Sequence, residues 1–166
     1  MSKTQVVKYA GRGFWAYDVA VGVFVKFLLN AAYESGETNA PWLSEAVSSW
    51  RVWAVVSDYG FILDEHWSSE QRKAFIALAE KACNELASRD SILAEEILGW
   101  PFADNLRIHP RGATDVATAP VVELGEAMSA LLRNELPEAP KGEAWFFGTP
   151  AGRGTIRMET SWDGRW

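Results

Sequence analysis

One segment restricts the possible folds of this chain more than any other: the apolar stretch over residues 14–37, FWAYDVAVGVFVKFLLNAAYESGE. Its polar or small interruptions fall four residues apart, at Asp18, Gly22, Lys26 and Asn30. On an α-helix this spacing makes one narrow polar stripe, and apolar side chains cover the rest of the circumference. Because such a helix must be buried on most sides, the pattern predicts a central core helix.

A membrane span is the competing interpretation of the same segment. A span needs about 18 or more nearly uncharged residues, whereas Asp18 and Lys26 interrupt this one and its longest clean apolar run covers only residues 19–25. The first 15 residues also lack an uninterrupted apolar run that ends in a small-residue cleavage site. With a single cysteine, Cys83, no internal disulfide forms. We therefore expect a cytoplasmic protein that does not interact with a membrane.

Three further segments have the spacing of helices with one buried face. Pro41 suits the first position of the second helix, and Ser68 with Gln71 has the spacing of a capping box at the start of the third. Thr118 is the expected N-cap of the last helix. A short helix is expected over residues 92–98.

The glycine-rich stretch over residues 145–158, WFFGTPAGRGTIRM, is the nearest approach to a functional motif. A P-loop needs a lysine and a hydroxyl after its second glycine, and it leads from a strand into a helix. Here the basic residue is Arg153, and apolar and polar residues alternate after it as in a strand. The pattern predicts an antiparallel hairpin with strands at 144–147 and 155–158. Anion binding by the backbone of loop 148–154 stays an alternative.

These elements predict a mainly α fold of the α+β class. We expect a single globular domain over residues 1–166, with a compact bundle of about four to five helices around the buried N-terminal helix. A C-terminal antiparallel β-hairpin completes it. A brief strand is also expected around Leu106 and Ile108, where apolar and basic residues alternate.

Candidate catalytic residues are few. Asp64, Glu65 and His66 are adjacent and Glu70 follows, which would suit proton transfer or metal binding. The expected cap at Ser68 separates His66 from Glu70, however, and acidic residues before a helix also stabilise its dipole. We favour a solvated cluster with that second role.

A cysteine nucleophile is also disfavoured. Cys83 with His66 or His109 would make a nucleophile–base pair, but Cys83 lies on an apolar helix face, where a thiol is inert. A structural zinc site needs four ligands, and the chain offers two histidines and one cysteine. We therefore expect no catalytic residues, no metal, no cofactor and, on balance, no enzyme.

Two groups of residues are candidates for binding. Arg107, Arg153 and Arg157 would hold an anionic ligand, and a strand near Arg107 would bring His109 and Arg111 to the same side. The chain has nine tryptophans. Those at element ends or in loops are candidate anchors for a partner: Trp42, Trp67, Trp100, Trp162 and Trp166.

The predicted function follows from the net charge of the chain. The net charge of −6 disfavours nucleic acid and suits a basic protein. We predict a small acidic protein-binding domain, such as an immunity or antitoxin-like protein that neutralises a basic effector. A homo-oligomer packed through exposed tryptophans is a further alternative.

A small enzyme or anionic-ligand-binding domain, with its site beside the 145–158 hairpin, is the alternative from another class. There the three arginines would hold the ligand, and Asp64, Glu65 or His66 would transfer protons. This site requires Arg153 and the Asp64–His66 cluster to lie on the same side of the fold.

Overall fold

The computed structural model describes residues 4–108, 110, 114–159 and 166. The strands are β1 (Thr4–Tyr9), β2 (Arg12–Tyr17), β3 (Phe61–Ile62), β4 (Ser91–Ile92), β5 (Val116–Ala117), β6 (Glu143–Phe147) and β7 (Gly154–Arg157). The helices are α1 (Asp18–Ser35), α2 (Pro41–Trp53), α3 (Ser69–Ala87), α4 (Ala94–Gly99) and α5 (Thr118–Leu132), with a 3₁₀ turn at Ser57–Tyr59.

Five strands form one mixed sheet in the order β3-β1-β2-β6-β7. The pairs β1–β2 and β6–β7 are antiparallel hairpins, whereas β1–β3 and β2–β6 are parallel pairs between distant parts of the chain. Strands β4 and β5 form a separate antiparallel pair. The two edge strands of the large sheet are therefore β3 and β7.

The predicted fold, a helical bundle whose only hairpin is C-terminal, is wrong. The hairpin of β6 and β7 is present, but it extends a sheet that begins with a hairpin at the N-terminus. The apolar stretch that predicts one long helix contains two elements, because residues 14–17 belong to β2. There Phe14 and Ala16 are buried in alternation, the period of a strand. Pairing with β1 satisfies the backbone of this segment.

Helix α1 is the centre of the core. It packs against α2, α3 and α5 and buries twelve of its eighteen residues. The interruptions Asp18, Lys26 and Asn30 are half-buried on one stripe, as their spacing predicts. Helices α1 and α5 also contact the sheet at β1 and β2, so the architecture is a layer of helices on a mixed sheet.

Of the two helix caps predicted from the sequence, the one at Ser68 is confirmed and the one at Thr118 is wrong. The capping box at the start of α3 is confirmed: the backbone N–H of Gln71 donates to Ser68 Oγ at 3.1 Å. Thr118 is not an N-cap: Ala117 holds that position, and the Thr118 hydroxyl donates instead to the carbonyl of Arg89. No strand forms around Leu106 and Ile108 among the described residues.

Close packing between α1, α3 and α5 generates a first prediction. A Cβ at Gly125 of α5 would lie 2.6 Å from the sulfur of Cys83 and would also overlap the ring of Phe24. We expect Gly125→Ala to lower the free energy of unfolding by about 1–3 kcal/mol through overpacking. Urea denaturation measures this value. The control is Gly99→Ala, since a Cβ there meets no described atom within 4 Å; an equal loss in both variants would contradict the packing argument.

The turn between β1 and β2 generates a second prediction. Ala10 and Gly11 both have positive φ, 47° and 73°, as a type I′ turn requires. Alanine is disfavoured there by about 1 kcal/mol, whereas asparagine adopts this conformation more readily. We expect Ala10→Asn to raise the free energy of unfolding by about 0.5–1 kcal/mol and Gly11→Ala to lower it by about 1–2 kcal/mol. Gly154→Ala, at a glycine without positive φ, is the control and should cause no loss. Changes of the same sign at residues 10 and 11 would refute this account of the turn.

Candidate functional site

One face of α2 lines the main functional candidate among the described residues, a cleft of about 650 Å³. The α2 residues that line it recur every three or four positions: Trp42, Glu45, Ala46, Ser49, Trp50 and Trp53. The opposite wall consists of residues 8–11, from the end of β1 into the β1–β2 turn, and residues 62–67, from the end of β3 onward. We call this feature the aromatic cleft, because four of the nine tryptophans line it.

Hydrogen bonds tie α2 to β1 and fix the opposite wall within the sheet and against α3. Gln5, a buried residue of β1, donates through Nε2 to the carbonyl oxygen of Trp53 at 2.9 Å. The N–H of Leu63 donates to the carbonyl oxygen of Lys8 at 2.9 Å and continues the pairing of β1 with β3. Arg72 Nη1 donates to the carbonyl oxygen of Trp67 at 2.7 Å. One wall is thus α2, tied to β1 by Gln5, and the other is built on the paired strands β1 and β3, so the cleft is preformed.

Aromatic contacts make the floor of the cleft. Trp50 and Trp67 are buried, at 1% and 7% exposed, and pack on Phe75 with ring centroids 5.6 and 5.5 Å apart. Trp42 meets Trp67 edge to face at 5.6 Å. Trp42 and Trp53 are only half-buried, so their indoles supply the accessible aromatic surface.

The cleft carries an excess of negative charge. Within the described part of the chain, its rim bears the exposed carboxylates of Glu45, Asp64 and Glu65, against one lysine, Lys8. Asp64 Oδ1 accepts the His66 N–H at 2.8 Å, and His66 Nε2 lies 3.9 Å from Glu65 Oε1. Among the described residues, Glu45 has no ion-pair partner within 4 Å. The cleft therefore combines indole surface with an excess of carboxylates, a combination that suits a cation.

The structure does not bring together the parts of the predicted anionic-ligand site. The Asp64–His66 cluster follows β3, whereas Arg153 and Arg157 lie at β7, the opposite edge of the sheet. The four steps between these edge strands amount to about 19 Å. Arg107 is held elsewhere, with its Nη1 donating to the carbonyl oxygen of Leu98 at 3.1 Å. His109 and Arg111 lie outside the described residues.

The hairpin loop already holds a carboxylate of its own chain. The N–H of Arg153 donates to Glu123 Oε1 at 3.1 Å, and the Arg153 guanidinium lies over the Trp145 ring, 5.1 Å from its centroid. The N–H of Gly152 donates to the carbonyl oxygen of Thr149 at 2.8 Å. These two backbone donors are therefore engaged, and the loop offers neither of them to a phosphate.

The predicted tryptophan anchors have different surroundings. Trp42 and Trp67 both line the aromatic cleft, although Trp67 is buried. Trp100 packs on Phe27, and Trp166 on Trp15, both edge to face. Trp162 lies outside the described residues.

Two residues that line the cleft, Glu45 and Trp53, were not among the candidates predicted from the sequence. A signal was available, because both residues share one helical face with Trp42. The buried face predicted for α2 overlaps this face, and Trp50 contributes to both the core and the cleft.

Cys83 is a core residue. Its thiol donates to the carbonyl oxygen of Val122 at 3.7 Å, and burial, followed by the charges of Glu126 and Glu80, raises its pKa to about 12. His66 precedes α3, so about 20 Å of helix separates its end of α3 from Cys83. Within the described residues, no group of three or more His, Cys, Asp or Glu side chains is arranged to hold a metal ion.

The raised pKa of Cys83 generates a third prediction. At pH 8 we expect the native protein to resist an aromatic disulfide reagent and the urea-unfolded chain to react at once, since only the thiolate is nucleophilic. Rapid labelling of the native protein would contradict the burial.

The same pKa has a consequence for stability. The folded pKa lies above the unfolded value of 9.0, so the stability that the protonated thiol contributes is complete below pH 9 and is lost as the pH rises towards 12. The free energy of unfolding of the wild type should fall more steeply over this range than that of Cys83→Ser, whose hydroxyl does not titrate.

Comparisons of the chain with models of protein families, with curated proteins and with solved structures found no match. None of the described helices has both the length and the apolar character needed to cross a bilayer. The function is therefore inferred from the chemistry of the aromatic cleft itself.

Proposed function

We propose that this protein binds a basic protein partner through the aromatic cleft and neutralises it, as an immunity or antitoxin-like protein does in the cytoplasm. The observation that carries the proposal is the convergence of indole surface from Trp42 and Trp53 with the carboxylates of Glu45, Asp64 and Glu65 in one preformed concavity. Aromatic anchors supply affinity at interfaces, and complementary charge accelerates encounter and excludes wrong partners.

The distribution of ion pairs supports a cationic partner. Several basic side chains are already held by carboxylates of the same chain: Lys73 by Glu70, Lys81 by Glu34, Arg89 by Glu96 and Arg133 by Glu80. These cations therefore do little to compensate the rim of the cleft, on a protein of net charge −6. With three rim carboxylates against Lys8, the charge of the cleft favours encounter with a basic protein.

The preformed walls support high affinity. An interface built on rigid elements loses little conformational entropy when the partner binds. Gln5 fixes the end of α2 to β1, and the β1–β3 pairing fixes the opposite wall. The half-buried Trp53 is the expected hot spot, because a partner that covers it completes the burial of a large apolar side chain.

The proposal is tested by co-expression with the products of neighbouring genes. We expect one of these products to be basic, to be toxic alone, and to form a stoichiometric complex with this protein in size-exclusion chromatography with light scattering. Trp53→Ala should weaken the complex by about 30-fold or more, as for a hot-spot residue. The double variant Glu45→Gln/Glu65→Gln should slow association at low salt by about 3- to 10-fold.

Two matched controls lie away from the cleft. Trp145→Ala removes a half-buried tryptophan on β6, and Glu85→Gln removes an exposed carboxylate on α3. Neither should alter binding. The proposal fails if no stoichiometric partner is recovered, or if the cleft variants and the controls bind equally well.

A further inference from the structure

We infer that the aromatic cleft receives an extended segment of the partner, with an arginine at the Trp42 end and an apolar side chain four residues away at the Trp53 end. This inference rests on the proposed function, because it specifies what the basic partner inserts. The length of the cleft, the uneven distribution of charge along it and the chemistry of its two ends support this occupant.

The cleft is elongated along α2. Trp42 and Trp53 stand at opposite ends of that helix, about 16 Å apart at 1.5 Å per residue. The opposite wall runs the same way: Trp53 packs on Phe61 at one end, and Trp42 packs on Trp67 at the other. An extended chain covers about 13 Å over four residues, and side chains at positions i and i+4 point to the same side. One extended segment of about five residues therefore reaches both indoles.

The Trp42 end is the acidic end. Glu45 follows Trp42 by one helical turn, so an indole face and a carboxylate lie side by side. Glu65 and the β1–β2 turn face this end, since residues 63–67 continue past the last paired residues of β3. A guanidinium is planar and weakly hydrated, so it stacks on an indole while it donates to a carboxylate. Arg153 over Trp145 shows this stacking within the same protein.

The Trp53 end carries none of the rim carboxylates, and Lys8 lies there, the one lysine among the described residues that line the cleft. Lys8 pairs in register with Ile62 in the β1–β3 ladder, and Ile62 is 39% exposed although it is a large apolar residue. The charge of Lys8 disfavours a cation at this end, whereas the half-buried indole of Trp53 offers apolar surface to an aliphatic side chain. The two ends thus prefer different side chains, which defines an order and a spacing.

The experiment uses capped pentapeptides and the indole N–H resonances of the intact protein, assigned with Trp42→Phe and Trp53→Phe. The two probe sequences are Arg-Ser-Thr-Ser-Leu and its reverse, because the geometry leaves the direction of the segment free. We expect one of them to shift both indole resonances saturably. Replacement of arginine by citrulline, which keeps the shape and removes the charge, should weaken binding by about 10-fold or more.

Protein variants locate the two ends. Glu45→Gln should weaken the arginine peptide by about 5- to 10-fold while the citrulline peptide is unaffected. Replacement of leucine by serine in the peptide should abolish the shift at Trp53 and leave that at Trp42. Glu85→Gln is the control and should change nothing, and unchanged spectra without peptide show that each variant is folded.

The inference is overturned if neither peptide causes a saturable shift, if citrulline binds as well as arginine, or if a peptide with arginine and leucine two residues apart binds equally. It is also overturned if a neutral oligosaccharide shifts the same resonances and the peptides do not. Its failure is distinguishable from that of the proposed function: a toxic partner whose binding depends on Trp53 would uphold the function while the peptides fail.

Discussion

Burial of α1 on nearly all sides is the constraint on which the rest of this fold depends. Val21, Phe24 and Leu28 are fully buried, so the helix needs partners around most of its circumference. Helices α2, α3 and α5 supply part of that cover, and the sheet contacts it through β1 and β2. Because Gly125 carries no side chain, α5 approaches Phe24 of α1 closely. A helical bundle alone would leave the side now facing the sheet exposed to water.

The aromatic cleft follows from the position that this core imposes on α2. Leu43 and Val47 pack into the core, which directs the neighbouring face of the helix, with Trp42 and Glu45, towards the β1–β2 turn and the segment after β3. Ala46 and Trp50 belong to both surfaces. The same packing that stabilises the fold therefore places indoles and carboxylates together in the cleft. Because the wall that carries them is rigid, little conformational entropy is lost when a partner binds.

Local periodicity predicted the elements that rely on one buried face. It located the long core helix from residue 18 onward, the capping box of α3, and the hairpin of β6 and β7. It failed at β1 and β2, because residues 14–17 suit a strand as well as a helix by their apolar content alone. The parallel pairs β1–β3 and β2–β6 join segments far apart in the chain, and no local pattern encodes them. At the site, Trp42 and Trp67 were predicted anchors, whereas Glu45 and Trp53 were missed.

The sequence by itself determined the acidic net charge, the lack of an internal disulfide and the periodic burial of the helices. These properties depend on composition or on neighbours within a few residues. Only the tertiary structure decided that Arg153 and the Asp64–His66 cluster lie at opposite edges of the sheet, and that Glu45 shares a cleft with Lys8. The relative positions of these residues depend on which distant strands pair with each other. That choice is made by the whole fold, because every buried backbone N–H and C=O group must find a partner and no single segment can supply all of them.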